Sequence, residues 1–291
     1  MAGLRLQSAS MKLALCNEVL RDLSFEEQCR YASALGYQAL EIAPFTLSDS
    51  PHEISQTRRR ELRSIAEDAG LSICGLHWLL VTPKGLSITT SDSAVRQKTR
   101  DVMLGLIDLC ADLGGKILVH GSPQQRMVDP GESLEETWRK MRDLFAEIAP
   151  RAGERKVYYC IEALTPNETN TITSMEEAVQ LVRDVDHPAF QTMIDTKATA
   201  TNESVPVEQV VERWLPTGMV RHIHFNDRNR RSPGQGEDRF TAVLQVLRRQ
   251  NYDGYISMEP FDYHPDGRGS ATFAVAYVRG ILDALEETSI S

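Results

Sequence analysis

"DGYISMEPFDY", Asp253 to Tyr263, opens on an Asp-Gly turn, runs through Tyr255, Ile256, Ser257 and Met258, and stops on Glu259 directly before Pro260. A short β-branched and aromatic run bounded by a turn reads as a buried strand. A carboxylate at the end of such a strand is costly in a dry site unless something compensates its charge. Taken alone, Glu259 reads as a solvated strand end, because Glu is seldom fully buried. The stretch decides the fold because its pattern recurs. Strand-like runs lie at "KLALCN" (Lys12–Asn17), "ALEIAP" (Ala39–Pro44), "SICGLHW" (Ser72–Trp78) and "KILVHG" (Lys116–Gly121). They continue at "VYYCIEA" (Val157–Ala163), "QTMID" (Gln191–Asp195), "RHIHFN" (Arg221–Asn226) and "YISMEP" (Tyr255–Pro260).

Helical patterns fill the gaps. "SFEEQCRYASALG" carries a capping box, Ser24 with Glu27, and a closing glycine. "SLEETWRKMRDLFAEIAPRAG" opens on Ser133 with Glu136 at the same offset. Strands alternating with helices predict βα units and a parallel sheet. Eight units of about 36 residues account for nearly the whole chain and predict a single (β/α)8 TIM barrel. An open doubly wound sheet would show a glycine-rich loop after its first strand, and "CNEVLRDLS" has none. Residues 11–287 are read as the catalytic barrel, and residues 1–10, "MAGLRLQSAS", as a flexible extension without the apolar core of a signal peptide.

Composition narrows the function. The chain has 291 residues, 41% hydrophobic and 25% charged, with a net charge of −9. Such a charge disfavours nucleic acid and anionic membranes as partners. No run of 18 apolar residues is present to span a bilayer. Five cysteines without a CxxC pair sit in apolar runs, which reads as free thiols in a reducing, cytoplasmic compartment.

The device at Glu259 appears on four strands in succession. Glu162 ends the fifth, Asp195 the sixth, His224 lies on the seventh and Glu259 ends the eighth, at intervals of 33, 29 and 35 residues. Each interval is close to one βα unit, so each side chain falls at the C-terminal end of its strand, where barrel active sites lie. Three carboxylates so placed cannot all stay ionised without a cation. Carboxylate oxygens with one imidazole suit Mn²⁺, Mg²⁺ or Co²⁺, whereas zinc prefers more nitrogen or sulfur.

The stretches "EALTPNE", "HFNDRNRRSPGQG" and "MEPF" carry a resemblance. From Met11 to Glu287, and most clearly from Cys160 onward, the chain resembles the sugar isomerase/epimerase superfamily of xylose isomerase-like barrels, and within it the ketose 3-epimerases of the D-tagatose 3-epimerase type. The resemblance implies that Glu162, Asp195, His224 and Glu259 bind a catalytic Mn²⁺, and that Glu162 and Glu259 also move the protons. It implies substrate contacts from Glu168, six residues after Glu162, and Arg230, six residues after His224. A carbohydrate substrate follows, as does a homo-oligomer, dimers and tetramers being common in the family. One position departs: where the ketose 3-epimerases carry a substrate-binding His three residues after the metal Asp, "DTKA" has Ala198, with Lys197 beside it. The family's hydroxyl contact is missing or replaced there, which leaves the sugar and the reaction open.

Other strand ends are candidates by position. His77 and His120 close the third and fourth strands and are taken as pocket-lining; Trp78 would stack on a sugar or simply pack. Glu41 ends the second strand, with a substrate contact and a structural role both open, and His222 is read as structural. The expected reaction is epimerisation or isomerisation of a keto-sugar by deprotonation and reprotonation through an enediolate. The alternative is a metal-dependent lyase or dehydratase on a keto-sugar, keto-glycoside or keto-inositol, begun by the same proton abstraction. An endonuclease IV-like enzyme would need more histidines than the seven present and a different charge. A sugar-binding protein without catalysis would not need four ligand groups.

Overall fold

A computed structural model describes residues 11–287; the expectation for residues 1–10 lies outside them. Eight strands close into a parallel barrel in sequence order. They are β1 (Lys12–Cys16), β2 (Ala39–Ile42), β3 (Ser72–His77), β4 (Ile117–His120), β5 (Tyr158–Ile161), β6 (Phe190–Asp195), β7 (Val220–Phe225) and β8 (Tyr255–Met258). The seam is made by β1 against β8, with Lys12 opposite Tyr255 and Leu15 opposite Met258.

The helices are α1 (Phe25–Leu35), α2 (Gln56–Asp68), α3 (Ser93–Asp112), α4 (Leu134–Arg155), α5 (Met175–Val185), α6 (Thr196–Asn202), α7 (Val207–Trp214), α8 (Phe240–Arg249) and α9 (Gly267–Glu287). Both predicted capping boxes form, at Ser24–Glu27 and Ser133–Glu136, and a third forms at Ser174–Glu177. Gly36 ends α1 with φ 86°, the left-handed turn that glycine adopts without steric cost. The short α6 was not anticipated. It starts directly on β6, with Asp195 as N-cap accepting the Ala198 N–H at 2.6 Å.

Most of the core lies between barrel and helices, where Leu40, Leu76, Leu118, Phe145 and Phe190 are fully buried. The barrel interior holds a smaller set: Ala14, Ala39 and Cys74 in one cluster, Ile117, Val119, Cys160 and Met193 in another. Inward positions alternate along each strand. On β5 the interior residue Cys160 is therefore followed two positions on by Glu162, and on β6 Met193 by Asp195. The apolar filling thus gives way to charge toward the C-terminal ends. All five cysteines are buried and free, and among the described residues no helix is long and apolar enough to cross a membrane.

Candidate active site

Glu162, Asp195, His224 and Glu259 converge. One ligand atom from each lies within 4.8 Å of all the others, and all four residues are buried. His224 Nδ1 is 3.0 Å from Glu259 Oε2 and 3.7 Å from Glu162 Oε1. Its Nε2 faces the other way, 3.2 Å from both oxygens of Glu41, which also receives His222 Nε2 at 2.7 Å. Glu41 is fully buried and fixes how His224 presents Nδ1, the role a carboxylate plays behind a ligating histidine.

His77 lies between Glu259 Oε1 and Glu18 Oε2, at 2.9 Å from each. It reaches the interior through a register shift: Leu40 pairs with Ile73 but Glu41 with Gly75, so Cys74 is passed over and the alternation changes phase. His77 does not line the cavity as expected; it is wholly buried and braces Glu259.

The electrostatics show strain among the carboxylates. Burial, then the charges of Glu162 and Glu259, push Asp195 up to about 7 against the pull of Lys197. Burial and Glu259 likewise raise Glu162. Burial also works against Glu259, but His224 and His77 outweigh it and hold that carboxyl down at about 2. Burial alone would keep both imidazoles neutral; Glu259 and Glu41 override it at His224, and Glu18 and Glu259 at His77, so both rise well above the ordinary range. Asp195 Oδ2 is buried and has no hydrogen-bond partner among the described residues, while Oδ1 is spent on the α6 cap. An orphaned carboxylate oxygen among three crowded acids and one aimed imidazole fits a divalent cation with hard oxygen ligands.

Above this cluster opens a cavity of about 210 Å³. Glu162, Asp195 and Glu259 form its floor, and Trp78, Glu168, Lys197, Arg230 and Phe261 are among its walls. Glu168 and Arg230 thus reach the cavity from the loops after β5 and β7. Glu168 accepts from the Thr165 N–H (3.1 Å) and hydroxyl (2.8 Å) and from Lys197 Nζ (2.7 Å). Burial raises its carboxyl, but Lys197 outweighs that and keeps it low. The Arg230 carbonyl accepts from the N–H groups of Phe261 and Asp262 at 2.8 Å, tying the last two rim loops together. Trp78 lines the cavity and packs edge-on against Phe45 (5.4 Å) and Phe261 (6.0 Å).

The expectation for His120 is corrected. Ile117 and Val119 take the inward positions of β4, so His120 faces outward, away from the cavity. Its Nδ1 lies 2.9 Å from the Tyr159 hydroxyl, its ring packs edge-on against Phe145, and burial holds the imidazole neutral, down to about 3. Ala198 is buried but is not part of the cavity wall; its neighbour Lys197 is.

Sequence reasoning missed Glu18, Phe261 and Arg126. Arg126 is fully buried and donates to the carbonyls of Glu162 (2.7 Å), Ile172 (3.1 Å) and His120 (3.4 Å), clamping the end of β5 to that of β4. It lies six residues past its strand in the non-repeating sequence "SPQQR", which carries no signal of burial. Three cavity residues, Trp78 (φ 50°), Ser122 (φ 37°) and Arg230 (φ 70°), hold left-handed backbone. For residues with a Cβ this costs roughly 1–3 kcal/mol each, and such strain gathers at working sites.

A closed parallel barrel gathers three carboxylates and a histidine at its C-terminal rim, a set that could hold a metal ion. The chain belongs to the xylose isomerase-like TIM barrel family, whose sequence model matches residues 29–280. It is 24% identical over 234 residues to the D-psicose 3-epimerase of Ruminiclostridium cellulolyticum, covering 78% of this chain and 75% of that protein. It is 28% identical over 240 residues to the D-psicose 3-epimerase of Enterocloster bolteae, covering 79% and 74%. Among solved structures it superposes on 3-keto-D-glucoside 4-epimerase from E. coli with a TM-score of 0.80 at 19% identity, covering 93% of this chain and 100% of the other.

Proposed function

We propose that this chain is a divalent-metal-dependent epimerase of a keto-sugar. The observation that carries this reading is the convergence of Glu162, Asp195, His224 and Glu259 within 4.8 Å at the floor of a small rim cavity. The names of the relatives, epimerases of psicose and of 3-keto-glucoside, agree with it. These four residues would hold the ion, Mn²⁺ first, with Mg²⁺ or Co²⁺ as substitutes. When bound, such an ion polarises a carbonyl and its neighbouring hydroxyl and makes the carbon between them more acidic.

The chain's own residues do the rest. One of Glu162 and Glu259 accepts the proton from that carbon and the other returns a proton to the opposite face, through an enediolate. His77 and Glu41 position Glu259 and His224. Glu168 and Arg230 contact substrate hydroxyls or other polar groups at the wall, and Trp78 and Phe261 cover its apolar face.

Incubating candidate keto-sugars with the Mn²⁺-supplemented protein in D₂O, with products read by NMR and mass spectrometry, tests the proposal. Epimerisation places one solvent deuterium on the inverted carbon. Elimination, which begins with the same proton abstraction, releases water or a fragment and leaves an unsaturated product. Glu162→Gln and Glu259→Gln each lower turnover on the order of 10²–10⁴-fold. Product formed by hydride shift, with no solvent deuterium and no elimination, would falsify the proton-transfer reading.

A further inference from the structure

Lys197 lies two residues past Asp195, with its side chain only 6% exposed. It lines the cavity, donates to Glu168 Oε1 at 2.7 Å and sits 5.2 Å above the Phe261 ring. The other Glu168 oxygen, Oε2, takes both the N–H and the hydroxyl of Thr165. Both oxygens of the wall carboxylate are therefore already hydrogen-bonded within the protein, and beside them the wall presents an ammonium group to a ligand.

The Arg230 guanidinium lies 5.7 Å from the centroid of the same Phe261 ring. Among the described residues it makes no side-chain hydrogen bond or ion pair, and Asp262 in the adjoining loop is held by Arg231 at 2.8 Å. Ammonium and guanidinium groups donate only; neither can accept. A sugar hydroxyl placed near them has a proton to donate, and at this wall its acceptor is Glu168, which already takes hydrogen bonds from Thr165 and Lys197. Beyond the residues of the ligand cluster, the charged groups lining the cavity are Glu168, Lys197 and Arg230, two cations against one anion.

We propose that the keto-sugar this site accepts carries an oxyanion group, a carboxylate or a phosphate, held between Lys197 and Arg230 beside Phe261. The inference rests on the keto-sugar reading above and specifies its substrate class. Two sources share this chemistry, a sugar acid and a sugar phosphate.

Calorimetric titration of the intact protein, Mn²⁺-supplemented and again after chelation, with three unreactive polyols tests it: glucitol, gluconate and glucitol 6-phosphate. At least one of the two anions binds on the order of 10-fold or more tighter than glucitol, as charged hydrogen bonds confer. Which anion gains identifies the source. The advantage collapses in Lys197→Met, and in Arg230→Met as a second variant at an exposed loop position. Glucitol binding as well as both anions, a preference that survives both variants, or no binding of any probe overturns the proposal. The exchange experiment in D₂O keeps the two readings apart. Deuterium entering neutral ketohexoses but neither a keto-hexuronate nor a ketose phosphate sinks this inference and leaves the epimerase. An anion preference in binding, with no keto-sugar exchanging, leaves the anion site and removes the epimerase.

Discussion

Glu162 has no room to move on one side. A Cβ at Gly121, the residue after β4, would collide with Glu162 Oε2, so glycine there sets where that carboxylate can sit. Gly121→Ala is expected to displace the carboxylate while leaving the barrel intact: circular dichroism unchanged, cation affinity and turnover each down by about 10-fold or more, since misplacing a group by an ångström costs up to about 10²-fold. Unchanged cation affinity and turnover would show that Glu162 shifts freely. At Asp195 the expectation concerns pH. Its carboxyl is pushed up to about 7 in the cation-free protein, against an unfolded value of about 3.9. A raised carboxyl contributes its stability in full below the unfolded value and loses it as pH rises through the folded one. The cation-free protein is therefore expected to lose melting temperature between about pH 4 and pH 7, a slope that Asp195→Asn flattens. Glu162, raised in the same sense, adds to it, while Glu259, held at about 2, keeps its contribution across that window. A melting temperature that climbs over the same range would contradict the assignment. Cation affinity should run the other way and strengthen with pH, because proton and ion compete for one oxygen.

At the scale of the element, β3 is tuned by a residue with no side chain. A Cβ on Gly75 would collide with the Ile117 carbonyl and meet the Ile117 Cβ at 3.0 Å, forcing β3 away from β4. Gly75→Ala should cost roughly 1–3 kcal/mol in chemical denaturation, as overpacking does; a neutral result would mean the strands yield there. The same strand shows where the sequence could and could not be read. The ends of β5 to β8 were legible because a charge after an apolar run, repeated at the interval of one βα unit, has few explanations. The inward faces of β3 and β4 were not. A strand covered on both sides is apolar throughout, so "KILVHG" gives no alternation from which to tell that Ile117 and Val119 point in and His120 out. On β3 the register shift at Leu40/Glu41 changes the phase before His77 is reached, and no residue announces it. In α6 Asp195 does two things at once: it was read as a ligand, and its capping of a seven-residue helix, which turns Lys197 into the cavity in place of Ala198, went unread.

For the molecule as a whole, the proposed ion couples the four strands that supply its ligands. Added Mn²⁺ is expected to stabilise the protein by mass action, by about 2.7 kcal/mol at a free concentration 100 times Kd. Differential scanning fluorimetry with Mn²⁺ and then a chelator should show the melting temperature rise and return, with no rise in Glu259→Gln; equal shifts in both proteins would place the ion elsewhere. The seam of the barrel gives this a further meaning. Glu259 follows β8, the strand that closes against β1, while α9 reaches back to the first unit through Arg279, which donates to the Gly36 carbonyl. A chain leaving the ribosome has already exposed Glu41 long before the histidines that meet it, His222 and His224, exist at all, and His77 long before Glu259. The proposed centre is thus completed only once the eighth strand has been made, and a nascent or nicked chain without that strand lacks the full set of proposed ligands with which to sequester metal from the cell.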